Sequence, residues 1–302
     1  MGTVVIRCAA VTKRFGRTEA LRGVDLVVEQ GDLFGYLGPN GAGKTTTLRL
    51  LMGLTRSTTG VVEVLGMDAW TRREAIHRRV GYVPGDIALY DRLTGRDHVD
   101  FVGHLGGLGA PASATKLAER LDLDLTRPAR ELSRGNRQKL ALVLALMIEP
   151  ELLVLDEPSS GLDPLVQREF HALLAEHVAG GGTVLLSSHV LSEVQRVASR
   201  IGVLSRGRVI AVERLDELRA RSLHHVEAQF GGHVPAMTFD AVPGLRDVRT
   251  EDGVLRCDAP QSALDALLKE VARHDVVDFS CTEAELEETF MAFYAGGGDD
   301  AA

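Results

Sequence analysis

One stretch near the N-terminus has the residue types and spacing of a phosphate-binding loop. Residues 38–45 fit the pattern G-x-x-x-x-G-K-[ST]. In such a loop the glycines let the backbone approach closely, and N–H groups at a helix start point at phosphate oxygens. The lysine is expected to reach the β and γ phosphates, and the following threonine hydroxyl to bind Mg²⁺. We predict that the chain binds a nucleotide through Gly38, Pro39, Asn40, Gly41, Ala42, Gly43, Lys44, Thr45 and Thr46.

Two carboxylates at the end of an apolar run are the second chemical signal. Four apolar residues, 152–155, directly precede Asp156 and Glu157. The run predicts a buried central strand, and ligands bind at the carboxyl end of such strands in an open parallel sheet. We expect Asp156 to hold Mg²⁺ and Glu157 to act as a general base on the attacking water. The alternative, a strand ending in a solvated acidic turn, is disfavoured by the phosphate loop.

A histidine follows the next predicted strand. Residues 183–187 have strand character, and His189 follows them after one further residue. Because the carboxyl ends of parallel strands meet at one sheet edge, we expect His189 beside Glu157. There it would donate to a γ-phosphate oxygen or hold the attacking water in line, and these two residues with Lys44 form the predicted catalytic set. A purely structural histidine is the alternative.

The elements that must position these residues predict a β/α core with a helical insertion. Short strands precede the phosphate loop, and a helix follows it over 46–52. The character is helical between about 86 and 150, where Thr94 and Ser133 are expected to cap helices. Strand and helix alternation then returns. We place one domain over 1–218, with strands that include Val4–Cys8, Asp25–Glu29, Val61–Leu65, Val80–Val83, Ile201–Leu204 and Val209–Val212.

The remaining residues predict a small α+β extension over 219–295. Its expected strands are Val226–Phe230, Met237–Phe239 and Val254–Cys257, followed by a helix at 263–272. A capping box predicts a last helix that starts at Thr282. We expect the tail at 296–302 to be disordered.

Composition narrows the classes of protein. The 302 residues include 45% hydrophobic and 25% charged residues, as in an ordinary soluble globular protein. The net charge of −8 disfavours a nucleic-acid binder, and three unpatterned cysteines favour a reduced compartment. The longest apolar run, Leu140–Ile148, is too short to span a bilayer, and the N-terminus lacks a signal-peptide pattern. A function at a membrane would therefore need a separate anchoring partner.

Taken in order, the phosphate loop, residues 152–158, Ser160-Gly161-Leu162-Asp163 and Ser187-Ser188-His189 resemble the ATP-binding subunit of ATP-binding-cassette (ABC) transporters. The resemblance implies a P-loop NTPase cassette, with a mixed β/α core, an antiparallel β subdomain and the helical insertion. It also implies that ATP and Mg²⁺ bind, that Asp163 contributes to nucleotide binding, and that Phe15 stacks on adenine. For Phe15, a place in the core is the alternative.

The family's signature segment and its glutamine loop both have counterparts here that depart from the family pattern. Residues 132–139 stand in the signature position, where Ser133 and Gly135 match but Arg134 and Asn136 do not. In the family this segment caps the ATP of a second subunit, so the site is completed in a head-to-tail homodimer. Gly85 stands where the family carries a glutamine, so the chain lacks the side chain for a glutamine-based link to a partner.

The resemblance extends to the bacterial export (ABC-2) branch, which includes drug-resistance exporters and carries a small C-terminal extension. It implies an ATPase that energises export through a separate membrane permease, at the cytoplasmic face of the membrane. The permease would dock near 86–101. A soluble ABC-type switch and a slowly hydrolysing regulatory subunit are the alternatives.

Overall fold

The computed structural model describes residues 2–107, 112–221 and 223–283. The chain divides into two compact units, the first ending at Val212 and the second starting at Glu213. The predicted tail at 296–302 lies outside the described residues. So does the predicted last helix beyond Glu283.

The first unit contains ten strands and seven α-helices within the described residues, and its last strand continues two residues beyond Val212. The strands are β1 (Val4–Phe15), β2 (Thr18–Glu29), β3 (Leu33–Leu37), β4 (Thr59–Val64), β5 (Met67–Asp68), β6 (Val80–Val83), β7 (Leu152–Asp156), β8 (Thr183–Ser188), β9 (Arg200–Ser205) and β10 (Arg208–Arg214). The helices are α1 (Lys44–Leu51), α2 (Arg73–His77), α3 (Gly95–Leu105), α4 (Ala112–Arg120), α5 (Arg134–Leu146), α6 (Pro164–Ala179) and α7 (Leu191–Gln195).

A six-stranded sheet forms the centre of this unit, in the order β10-β9-β3-β8-β7-β6. The strands from β9 to β6 pair in parallel, so their carboxyl ends share one edge. Every residue of β3, β7 and β8 is buried, as expected for strands covered on both faces. The predicted mixed β/α core is therefore confirmed, with β7 and β8 side by side.

A second sheet packs antiparallel strands in the order β2-β1-β4-β5. Strand β1 pairs with both β2 and β4 and is much longer than the predicted Val4–Cys8. Several register shifts bend β1, which explains why a simple period-two pattern did not reveal its full length. This sheet is the antiparallel subdomain that the resemblance implied.

Two helices of the insertion begin where the predicted caps stand. The Thr94 hydroxyl accepts from the Asp97 N–H, and the Asp97 carboxylate accepts from the Thr94 N–H, a complete capping box at the start of α3. Ser133 caps α5 with a single bond, in which its hydroxyl accepts from the Asn136 N–H. Within the described ranges, no helix is long and apolar enough to cross a membrane.

The second unit contains α8 (Leu215–Arg221), β11 (Leu223–Phe230), β12 (Arg246–Glu251), β13 (Val254–Pro260), α9 (Leu264–Val271) and β14 (Val276–Glu283). Its antiparallel sheet has the order β12-β13-β11-β14. Leu255, Leu267 and Phe239 are almost fully buried in its separate core.

Two predictions in this unit were wrong. The segment Met237–Phe239 is not a strand, because it lies in a 3-10 helix that directly follows Pro235. The predicted last helix does not start at Thr282, because Thr282 pairs with His225 within the ladder of β14 and β11. Strand pairing, which a single sequence does not show, overrides the local capping pattern there.

Candidate nucleotide site

The phosphate loop joins the end of β3 to the start of α1 at the shared sheet edge. Its glycines are needed for space and conformation. A Cβ on Gly38 would lie 2.5 Å from the Leu204 carbonyl oxygen, and Gly43 has a φ of 113°. No side chain caps the first N–H groups of α1. These groups, from Lys44 onward, are therefore available for an anion, as predicted for a phosphate-binding helix start.

Lys44 is held in place before any nucleotide arrives. Its side chain is 5% exposed, and its Nζ donates to the Gly38 carbonyl oxygen at 2.7 Å. The same Nζ lies 3.3 Å from Oε1 of Glu157. A buried ammonium needs a counter-charge, and a polyphosphate can take over that role from the carboxylate.

Asp156 ends β7 with one carboxylate oxygen engaged and one without a partner. The residue is 1% exposed, and Oδ1 accepts from the Ser187 hydroxyl at 2.6 Å. Oδ2 is buried and has no hydrogen-bond partner. A buried carboxylate oxygen with no donor is the kind of group that a cation or its bound water satisfies. The predicted Mg²⁺ role of Asp156 fits this donor set, together with the exposed Thr45 hydroxyl at the start of α1.

Sequence reasoning missed the part played by Ser187, although the serine stands in one of the quoted motifs. Its hydroxyl orients Asp156, and the Glu157 N–H points at both the Ser187 carbonyl oxygen, at 3.2 Å, and the hydroxyl, at 3.1 Å. The signal was available in principle, because Asp156 and Ser187 are register partners in neighbouring parallel strands. Burial, and then the charge of Asp156, raise the pKa of the Tyr82 phenol.

Glu157 bridges the two other predicted catalytic residues. Its Oε2 lies 3.2 Å from Nδ1 of His189, while Oε1 faces Lys44. Its backbone has a φ of 50°, a left-handed conformation that is uncommon outside glycine. Such strain persists only where surrounding contacts hold it, and it turns the side chain from the strand toward the sheet edge. The structure thus brings together Lys44, Glu157 and His189.

The segment in the signature position, residues 132–139, contacts a different loop of the chain. The guanidinium of Arg134 donates to the Ser160 hydroxyl at 3.0 Å. A Cβ on Gly135 would lie only 2.6 Å from the Gly161 carbonyl oxygen, so this position tolerates no side chain without movement. In the described part of the chain, no hydrogen bond joins Ser133 or Gly135 to the phosphate loop. The segment is instead hydrogen-bonded to the loop that follows Glu157.

Two other predicted binding residues, Phe15 and Asp163, are exposed. Phe15 is 53% exposed at the end of β1, with the Lys13 ammonium 4.7 Å from its ring centre, so the alternative of a core residue was wrong. Its stacking on adenine stays a prediction. Asp163 caps α6 by accepting from the Val166 and Leu165 N–H groups, and these bonds, that of Val166 first, lower its carboxyl pKa. A contact with nucleotide stays a prediction for Asp163 too.

Comparisons with known proteins agree with this geometry. The sequence pattern of the ABC transporter family matches residues 21–160. The daunorubicin resistance ATP-binding protein DrrA3 of Streptomyces coeruleorubidus is 42% identical over 227 residues, covering 74% of this chain and 72% of the relative. The bacitracin transport ATP-binding protein BcrA of Bacillus licheniformis is 30% identical, over 98% of this chain and 99% of the relative.

Solved structures extend the agreement to three dimensions. An ATP-binding subunit of an ABC transporter superposes with a TM-score of 0.67 and 30% identity, covering 72% of this chain and 92% of that one. A dimeric ATP-binding cassette with bound ADP and Pi, in a post-hydrolysis state, gives 0.65 and 25%, over 70% and 98%. With the phosphate loop, Asp156 and Glu157 at one sheet edge, these matches show that the chain belongs to the ABC transporter family, as an ATP-hydrolysing ATP-binding subunit of the export branch.

Proposed function

We propose that this chain powers export through a separate membrane permease, by hydrolysing MgATP held between two head-to-tail copies. The observation that carries the proposal is the contact of Lys44 and His189 with the two oxygens of the Glu157 carboxylate, at 3.3 Å and 3.2 Å. An acid, a cation and a histidine at the end of parallel strands are the parts needed to place water against a terminal phosphate.

In the proposed reaction, each residue has one task. The N–H groups of the loop and Lys44 bind the phosphates, and Glu157, released from Lys44 by the incoming nucleotide, accepts a proton from the attacking water. His189 donates to a γ-phosphate oxygen or to that water. Mg²⁺, held by Asp156 and Thr45, would supply charge neutralisation of the β and γ phosphates.

The proposal of a dimer rests on the position of the signature segment. Ser133 and Gly135 lie at the start of α5, where the Ser133 hydroxyl accepts from the Asn136 N–H and a Cβ on Gly135 would meet the Gly161 carbonyl oxygen. A helix start that carries a serine suits an anion, and the terminal phosphate of ATP on a second copy is our candidate. The hydrogen bond between Arg134 and Ser160 would then couple the loop after Glu157, and so the hydrolysis reaction, to that segment.

An exposed apolar patch supports the proposed permease contact. Tyr90, Phe101 and Leu105 are 62%, 44% and 71% exposed on α3 and the loop before it. The rings of Tyr90 and Phe101 meet edge to face with centroids 5.8 Å apart, so the patch is ordered rather than loose. Contiguous exposed apolar groups mark contact surfaces. We assign this patch, residues Tyr90, Phe101 and Leu105, to a short helix of the permease at the cytoplasmic face of the membrane.

The proposed cargo is inferred only from the descriptions of the relatives. Those named above are described by resistance to daunorubicin and by transport of bacitracin. We propose that the cargo is likewise an antimicrobial compound, and that it passes through the permease rather than through this chain.

The test is affinity purification of the tagged chain from gently solubilised membranes of its native host. We expect one polytopic membrane protein in stoichiometric amount. Phe101→Glu, which charges the patch, should abolish its recovery. Leu268→Glu is the matched control, because Leu268 is equally exposed, at 46%, on α9 of the second unit. Recovery of a soluble homodimer alone, or of ribosomes, would favour the switch function.

A slowly hydrolysing regulatory subunit is the second candidate, favoured by Gly85 and by Arg134 in the signature segment. Turnover measured on the purified complex with its permease separates the two. Persistently slow hydrolysis despite intact Glu157 and His189 would favour regulation.

A further inference from the structure

Three arginines on and beside α2 line a surface cavity, and none of them belongs to the nucleotide site. The cavity has a volume of about 300 Å³ and is lined by Thr71, Arg72, Arg73, Glu74, Ala75 and Arg78. Three cations against one carboxylate give this arginine cavity an excess of positive charge. The whole chain has a net charge of −8, so overall composition does not account for it.

The three guanidinium groups have no anionic partner of their own. Within the described residues, no carboxylate forms an ion pair with Arg72, Arg73 or Arg78. The neighbouring Arg79, by contrast, donates two hydrogen bonds to the Glu151 carboxylate. The arginines of the cavity can therefore bind an anion from outside the chain without breaking an existing ion pair.

The backbone beneath the arginine cavity is held firmly against the core. Ile76, in α2, is fully buried, and Nε2 of His77 lies 2.7 Å from the Met52 carbonyl oxygen at the end of α1. A Cβ on Gly53 would lie only 2.8 Å from Cβ of Arg73, so the turn after α1 packs directly against α2. The arginines thus project from a fixed base, which lowers the entropic cost of binding a ligand.

The single tryptophan of the chain contacts one arginine of the cavity. Trp70 is 36% exposed, and the Arg73 guanidinium lies 5.3 Å from its ring centre. The same guanidinium donates to the Trp70 carbonyl oxygen at 3.3 Å. An exposed indole among arginines is typical of surfaces that lie on a membrane, where the ring occupies the headgroup region and the cations face anionic lipids.

We propose that the arginine cavity binds the phosphate groups of acidic lipids, so that this chain contacts the membrane surface directly as well as through its permease. A planar guanidinium can bind a phosphate with two parallel hydrogen bonds. Anionic lipids also give the cytoplasmic leaflet a negative potential, which attracts clusters of basic residues. This contact goes beyond the proposed function and needs no permease, so the purified chain suffices to test it.

The exposed indole favours a lipid over a free phosphate ion. A free phosphate would engage only the guanidinium groups and would leave the ring of Trp70 in water. A lipid headgroup offers phosphate to the arginines and the apolar boundary of the acyl chains to the indole. One ligand class therefore accounts for both features of the surface.

The first experiment is cosedimentation of the purified chain with vesicles of phosphatidylglycerol or of phosphatidylcholine. We expect binding to the anionic vesicles alone. The combined variant Arg72→Gln, Arg73→Gln and Arg78→Gln should bind them about a hundredfold more weakly, from about fivefold for each arginine near an anionic surface. Unchanged binding of this variant would overturn the proposal.

A matched control removes the same charge elsewhere. It combines Arg168→Gln, Arg208→Gln and Arg246→Gln, at exposed positions on α6, β10 and β12. This control should bind anionic vesicles nearly as tightly as the wild type. An equal loss in both variants would show that only net charge matters, and it would overturn the assignment to the arginine cavity.

Two further arms separate a lipid site from a general attraction of anions. Inorganic phosphate, at the phosphate concentration of the lipid, should not release the chain from the vesicles; release would overturn the choice of a lipid ligand. Replacing Arg72, Arg73 and Arg78 by lysine keeps the charge but removes the planar fork, so binding should be weaker than in the wild type. Equal binding would contradict a site shaped for phosphate.

Fluorescence of Trp70 reports the contact directly, because the chain has no second tryptophan. On anionic vesicles the emission should shift to shorter wavelength, and lipids with brominated acyl chains should quench it. Unchanged emission from vesicle-bound wild type would contradict the proposal. All variants should bind a fluorescent ATP analogue as the wild type does, which shows that they are folded. Failure of the wild type to bind that analogue would contradict the proposed function instead, so the two failures are distinguishable.

Discussion

Two sheets of this protein, the six-stranded sheet of the first unit and the four-stranded sheet of the second, differ in where they leave polar groups. Strand β7 is buried at every residue, so its chemistry is confined to its carboxyl end. Strand β11 alternates, with Val226, Ala228 and Phe230 buried and the residues between them exposed. The parallel sheet thus concentrates function at an edge, and the antiparallel sheet spreads polar residues over a face.

The difference predicts where substitutions affect chemistry and where they affect only stability. At the edge of the parallel sheet, Lys44, Asp156 and Glu157 have few alternative partners and are largely buried. On the open face of the second sheet, pairs such as Glu227 with Arg256 are more than half exposed and contribute little.

The largest expected effect is the loss of the general base. Glu157→Gln should lower ATP turnover by roughly two to four orders of magnitude, the scale of general-base catalysis, while ATP still binds. Glu151→Gln is the matched control, because Glu151 precedes the opposite end of the same strand and pairs with Arg79. Steady-state hydrolysis and nucleotide binding are measured on both variants. Near-normal hydrolysis in Glu157→Gln would exclude Glu157 as the base.

The second largest expected effect is a loss of ATP affinity. Lys44→Ala removes a buried cation, and we expect ATP affinity to fall about a hundredfold, as for one or two charge-assisted hydrogen bonds to phosphate. Lys269→Ala, at an exposed position of α9, should leave affinity unchanged. Titration with a fluorescent ATP analogue in EDTA measures this directly. Tight binding that survives in Lys44→Ala would contradict the assignment of the phosphate loop.

The smallest expected effect on the nucleotide site is that of a substitution in the core of the second unit. Leu267→Ala should lower the free energy of unfolding by about 2–5 kcal/mol, since Leu267 is fully buried there. Leu268→Ala, one residue further and 46% exposed, should change it much less. Denaturant unfolding and ATP affinity are measured in parallel. If Leu267→Ala instead reduced ATP affinity at temperatures where it is folded, the contrast between the two sheets would break down.

The residues that meet at the edge of the parallel sheet could be predicted from sequence, because the ends of neighbouring parallel strands lie side by side. Once β7 and β8 are recognised as parallel neighbours, Glu157 and His189 must lie close together. The hydroxyl of Ser187 on Asp156 and the left-handed backbone of Glu157 were not predictable, since both depend on exact register and local strain. The same limit hid β12 and β14, whose short alternating patterns become strands only when paired with β13 and β11.

The departures from the family pattern gained a physical description only in three dimensions. Arg134 stands where the family has a glycine, and its guanidinium donates to the Ser160 hydroxyl on the loop after Glu157. Gly85 stands where the family has a glutamine, and it borders the unpartnered oxygen of Asp156. From sequence alone, each was simply a missing residue type.

The most direct test of the account is complementation between two inactive variants. Glu157→Gln keeps its signature segment but lacks the base. Ser133→Asp keeps a good helix cap but places a negative charge where the partner's phosphate would lie. If the site forms between copies, a mixed dimer contains one intact site, and the mixture should regain roughly a quarter of wild-type turnover when the copies pair at random in a two-fold dimer. A mixture as inactive as its two components, or Ser133→Asp alone with full activity, would contradict a nucleotide site shared between two copies.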